Sequence, residues 1–98
     1  MRYGIYFVFL FLAGCQIDPP QEEYALARVA IECAREADAP KYAPGYWHKA
    51  RTHYQQAEKY YAERDNEMAK TYFVRTRVYA ERAENTAQLA RAKGDSGY

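Results

Sequence analysis

The stretch Trp47-His48-Lys49-Ala50-Arg51-Thr52-His53-Tyr54-Gln55-Gln56-Ala57-Glu58-Lys59-Tyr60-Tyr61 decides the fold. Within it, Trp47, Ala50, Tyr54, Ala57 and Tyr61 recur at spacings of three, four, three and four. That rhythm follows the 3.6-residue period of an α-helix and gathers the five residues into one apolar stripe. His48, Lys49, Thr52, Gln55, Gln56 and Lys59 occupy the remaining faces. The pattern predicts a helix over residues 45–64. Pro44 suits its opening, because the first turn needs no backbone donor there.

Upstream, Ala39-Pro40-Lys41-Tyr42-Ala43-Pro44-Gly45 reads as a short linker. Pro40 disfavours helical geometry at Ala39 and so closes a first helix predicted over residues 22–38. Glu22 and Glu23 open that helix, where acids complement its dipole. Arg28, Glu32, Arg35 and Glu36 fall on one side of it, and Ala27, Ala30, Ile31, Ala34 and Ala37 on the other. Downstream, Asp65 or Asn66 can cap a third helix, with Glu67 in its first turn. This helix is predicted to run to Ala92 on a seam of Ala69, Tyr72, Thr76, Tyr79, Ala83, Thr86 and Ala90, with Phe73, Ala80 and Ala87 beside it. Gly94 is expected to end it and residues 94–98 to fray. The apolar phase roughly survives the Asp65 turn, so one continuous helix from Gly45 to Ala92 is the competing reading. The fold class expected is all-α: a three-helix domain over residues 22–93, a short first helix and a long antiparallel hairpin.

Alanine and tyrosine dominate the chain after its N-terminal segment, at the expense of leucine, isoleucine and valine. Alanine lets helices approach closely, and tyrosine fills space while its hydroxyl reaches the rim. Closely packed helices with an aromatic seam are expected, without a large ligand cavity. Acids and bases are interspersed and the formal net charge is +1, a balance that does not indicate nucleic acid.

Residues 1–15 read differently. Arg2 precedes the apolar run Ile5-Tyr6-Phe7-Val8-Phe9-Leu10-Phe11-Leu12-Ala13, which ends at Gly14-Cys15. This is the order of a secretion signal. The run falls short of the roughly 17–25 apolar residues that span a bilayer. Leu12-Ala13-Gly14-Cys15 resembles the lipobox of bacterial lipoproteins. The resemblance implies signal recognition through Leu12, Ala13 and Gly14, cleavage before Cys15, and diacylglycerol and N-acyl groups on Cys15 as the only non-protein groups. Two acyl chains hold a protein stably on a membrane. Residues 15–21, stiffened by Pro19 and Pro20, then form a tether. In proteobacterial relatives an aspartate after the cysteine favours inner-membrane retention. Gln16 stands there, which implies the periplasmic side of the outer membrane. Cys33 is then the lone thiol, and it is expected to be buried at the edge of an apolar face.

Two further resemblances concern the helices. Trp47, Ala50, Tyr54 and Ala57, a polar turn, then Ala69, Tyr72 and Ala80 resemble a degenerate tetratricopeptide hairpin. Tyr24, Ala27, Ala30, Ala34 and Ala37, then Tyr42-Ala43-Pro44, then Ala50 and Ala57 are similar to a small all-helical domain of unknown function in proteobacterial envelope lipoproteins. That domain often precedes an OmpA-like peptidoglycan-binding module. The chain as read ends before such a module, so direct cell-wall binding through it is not implied. The family brings no catalytic residues.

The residues themselves suggest no enzyme. His48 and His53 are five apart, about 140° on a helix, which is not the spacing of a metal pair, and both read as solvated. No serine, threonine or cysteine lies beside an evident base. Arg75, Arg77, Arg82 and Arg91 make the third helix basic, but Glu81 and Glu84 interleave them into a salt-bridged surface. The aromatic residues exceed what a small core holds. Tyr46, Trp47, Tyr60 and Phe73 are the candidate partner-binding residues, since tyrosine and tryptophan recur in interface hot spots. Aromatics lining the rims of an alanine-rich bundle are the equal alternative. The expectation is a membrane-anchored envelope protein that binds another envelope protein or itself, with no nucleic acid and no small-molecule substrate. A pilotin-like accessory lipoprotein of a secretion or pilus assembly is the second reading.

Overall fold

Pro20 begins the described structure's first helix without donating a hydrogen bond. Its carbonyl accepts from Tyr24 N at 2.9 Å. A computed structural model describes residues 19–95. Helix α1 spans Gln21–Glu36, with Glu22 and Glu23 in its first turn. It ends where Asp38 adopts a left-handed φ of 64°, and the Asp38 amide donates to Arg35 O at 3.0 Å. The stop therefore comes two residues before the expected one. Asp38 makes it, since aspartate tolerates the left-handed region better than most residues, and Pro40 does not.

Pro40 instead lies in the first turn of α2, the single turn Ala39–Tyr42. The expected linker is thus partly helical, and it is part of the core: Ala39 and Ala43 are both buried. Ala43 caps α3, Pro44–Ala62, with Pro44 in its first turn. Helix α3 closes with the Asp65 amide donating to Tyr60 O at 2.9 Å and the Arg64 amide to Tyr61 O at 3.1 Å. This is a Schellman closure, and Arg64 takes its left-handed position with φ 62°. Asp65 then caps the next helix, its Oδ1 accepting from Met68 N at 3.3 Å. The chain is broken here, and the continuous helix from Gly45 to Ala92 does not form.

Helix α4 spans Asn66–Asp95, about 45 Å at 1.5 Å per residue. It passes through Gly94, which was expected to end it. A glycine stops a helix by turning to positive φ, and Gly94 does not. Helix α4 packs along both α1 and α3, which touch one another much less. Tyr24 meets Tyr61, while Arg35 lies over Trp47. Helix α1 is therefore antiparallel to α3 and parallel to α4. The fold is all-α among the described residues.

The central position of α4 sets its sequence pattern. Ala69, Phe73, Thr76, Ala80, Ala83 and Ala87 are fully buried and alternate spacings of four and three, the seam of close helix packing. The expected seam is out of phase with this. Tyr72 and Tyr79 are only half-buried and Thr86 is exposed, whereas Phe73, Ala80 and Ala87 lie at the centre. Thr76 satisfies its hydroxyl by donating to Tyr72 O at 2.8 Å. Alanines from α1 (Ala27, Ala34) and α3 (Ala50, Ala57) meet this seam, and larger rings close the ends. Phe73 with Tyr24, Tyr54 and Tyr61 fills the end beside the α3–α4 turn. Trp47 with Tyr42 and Tyr79 fills the other.

Candidate functional site

The four candidate partner-binding residues do not form one surface. Phe73 is 0% exposed and Trp47 6%. Tyr60 is half-buried against Tyr72, with ring centroids 5.4 Å apart. Tyr46 alone lies open, at 37% exposure in the first turn of α3. Phe73 and Trp47 are core residues because α4 is covered from two sides, and its largest apolar side chain points between its neighbours.

A different set of residues is brought together. The leucine, isoleucine and valine residues of the described chain are Leu26, Val29, Ile31, Val74, Val78 and Leu89. Only Ile31 is buried. Leu26 of α1 with Val74 and Val78 of α4 line a shallow groove of about 160 Å³, whose floor is Phe73. Glu23, Arg77 and Glu81 form its rim, and Arg77 Nε donates to Glu81 Oε1 at 2.9 Å. Hydrophobic side chains are exposed while alanines fill the core, the reverse of the usual order. The sequence carried the signal for this groove. Val74 and Val78 are one helical turn apart and off the alanine seam.

The family model described as a domain of unknown function (DUF4398) matches residues 22–96. The chain belongs to the DUF4398 family. No curated protein and no solved structure matches it. The match runs from the first turn of α1 to the end of α4, so α1 belongs to the DUF4398 unit together with the hairpin. This bears out the resemblance to a small domain of unknown function.

The opposite side of the DUF4398 body carries a ladder of rings along α3 and α4. Tyr60 packs on Tyr72, Tyr72 on His53 at 5.7 Å, and His53 on Tyr79 at 5.0 Å. Arg75 lies 5.1 Å from the Tyr72 ring, and Lys49 lies 5.6 Å from that of Tyr79. His53 is therefore half-buried between rings and less solvated than expected. Its Nδ1 is 2.7 Å from Lys49 O. A carbonyl only accepts, so Nδ1 carries the proton. His48 is exposed and on another face. Cys33, expected to be buried, is half-exposed on the outer side of α1 beside Val29. The α1 seam turns through Ala30 and Ala34, which places Cys33 at its margin.

Burial pushes the Tyr54 hydroxyl well above the ordinary tyrosine range, and its hydrogen bond with Tyr24 adds to the shift. Among the described residues, no three His, Cys, Asp or Glu side chains converge as metal ligands would. No described helix is long and apolar enough to cross a membrane. Leu12, Ala13, Gly14 and Cys15 lie outside the described residues.

Proposed function

We propose that this DUF4398 protein is a lipid-anchored component of the cell envelope that docks through its helical body onto another protein or a second copy of itself. The observation that carries the reading is the exposed aliphatic groove of Leu26, Val74 and Val78. A contiguous apolar patch on an otherwise charged surface costs solvation unless it is covered, so such patches mark interaction sites. Support for the anchor comes from the tetrad Leu12-Ala13-Gly14-Cys15 after a short apolar run. With Gln16 following Cys15, the proposed location is the periplasmic face of the outer membrane. The tetratricopeptide-like reading of the α3–α4 hairpin belongs to the same proposal, with α1 covering one side as the third helix.

Two measurements test it together. Fractionation of cells carrying Cys15→Ser should find unprocessed or released protein. Its retention in the membrane with normal processing would remove the anchor. Crosslinking in the intact envelope from a photoreactive residue at position 74 should give one discrete adduct. A diffuse background indistinguishable from that at position 59, on a polar face of α3, would remove the docking surface.

A further inference from the structure

Three arginines converge on a cleft that the docking proposal leaves unused. It lies between α1 and α3, has a volume of about 210 Å³, and has Ile31 and Tyr54 among its lining residues. Arg35 from α1 and Arg51 from α3 approach Trp47 from the two walls, with guanidinium carbons 5.7 and 5.9 Å from the ring centroid. Arg28 lies at the other end, 5.9 Å from the Tyr24 ring. A guanidinium placed over a ring uses its flat face, and its N–H edges remain directed outward in a fixed fork.

Those edges are only partly engaged. Arg35 pairs with Glu32, three residues earlier on its own helix. Among the described residues, neither Arg28 nor Arg51 has a carboxylate oxygen within salt-bridge distance, although Glu58 also lines the cleft. The cleft thus presents two unpaired guanidiniums and one held by an internal carboxylate that a ligand can displace. It is too small for a helix, which is roughly 10 Å across, and it suits a single protruding group.

We propose that this cleft binds an oxyanion, a carboxylate or a phosphate, between Arg51 and Arg35, with Arg28 adding positive charge at the far end. Planar forks from opposite walls provide the paired donors that such groups accept. Glu32 is then an internal competitor for the ligand's place on Arg35.

Trp47 is the only tryptophan of the chain, so its fluorescence reports on the Arg35 and Arg51 guanidiniums beside its ring. The full chain in neutral detergent is titrated with succinate and with inorganic phosphate, each against sodium chloride at matched ionic strength, and separately with phosphatidylglycerol added to the micelles, against phosphatidylcholine added in the same amount. Calorimetry runs in parallel, because Arg51→Gln itself alters the surroundings of Trp47. The expected result is a saturable response that chloride does not produce. Arg51→Gln should weaken it about tenfold, the loss of one charge-assisted hydrogen bond, and Glu32→Gln should tighten it by freeing Arg35. Saturation with succinate or phosphate assigns a soluble oxyanion, and saturation with phosphatidylglycerol alone, absent with phosphatidylcholine, assigns a lipid headgroup. No saturable response in any arm overturns the proposal, as does a response that Arg51→Gln and Glu32→Gln leave unchanged. Both substitutions are on exposed positions, so unaltered circular dichroism separates loss of binding from loss of fold.

Discussion

Tyr24, in the first turn of α1, packs on Phe73 in α4 with 4.8 Å between ring centroids. This contact joins α1 to the hairpin at the end where α3 turns into α4. Tyr54 and Tyr61 approach the same Phe73 ring edge-on, at 6.0 and 6.2 Å. One ring from α4 thereby holds three from the two flanking helices. Between this end and the one that Trp47 fills, alanine meets alanine, and little area is buried per residue. Truncating Phe73 to alanine should therefore cost about 3–5 kcal/mol, a large share of the stability of so small a domain. Chemical denaturation of the variant should show it largely unfolded at ambient temperature. Phe73→Leu, which keeps most of the volume, should remain folded with a lower midpoint.

The α3–α4 turn gives a prediction of opposite sign. Arg64 adopts φ 62°, where a side chain clashes with its own backbone at a cost of about 1–2 kcal/mol. Glycine removes that clash but adds entropy to the unfolded chain, so Arg64→Gly should stabilise by about 0.5–1 kcal/mol. The neighbouring cap should respond the other way. Asp65→Ala removes the acceptor for Met68 N and should destabilise by about 0.5–2 kcal/mol. Thermal melts of the two variants should move in opposite directions. A stabilising Asp65→Ala would mean that the cap is not formed in solution.

The aliphatic groove separates stability from association. Val74 and Val78 are 46% and 40% exposed, so the double change Val74→Ser with Val78→Ser removes little buried area from the monomer. Its unfolding free energy should stay within about 0.5 kcal/mol of the parent, allowing for the surface position. Crosslinked adducts or self-association measured by sedimentation should fall sharply. Loss of stability without loss of association would place both valines in the monomer's core.

The helices themselves were legible in the spacing of Trp47, Ala50, Tyr54, Ala57 and Tyr61, because a large ring on every second turn, with an alanine between, marks one face unambiguously. The phase of α4 was not. The expected and observed seams share Ala69, Thr76 and Ala83 and differ by one position elsewhere. Alanines lie on both stripes, and alanine is too small to rank them. Phe73 is the one bulky apolar ring on α4 without a polar atom, and its burial decides the phase. The ends of the helices followed Asp38 and Arg64, two residues in left-handed geometry whose types announce it only weakly. The groove escaped notice for a related reason. Hydrophobic periodicity assumes that aliphatic side chains mark the core, and here alanines and rings fill it while Leu26, Val74 and Val78 are left outside.

Tyr54 ties the fold to alkaline pH. It bridges the two ends of the core, and burial, with the Tyr24 hydrogen bond, raises its hydroxyl above the ordinary value near 10. In the unfolded chain the same hydroxyl ionises at that ordinary value. Above it, the folded state holds a proton that the unfolded state has released, so stability falls as pH rises. Below it both states are protonated and the group contributes no pH dependence. Unfolding free energy should thus be flat with respect to this residue through neutral pH and decline from about pH 10 upward. Tyr54→Phe should blunt that decline, while losing a little stability at neutral pH with the hydrogen bond to Tyr24. Absorbance titration of tyrosinate should show one late-titrating tyrosine in the parent that the variant lacks. An identical alkaline decline in both proteins would mean that Tyr54 is solvated in the folded state.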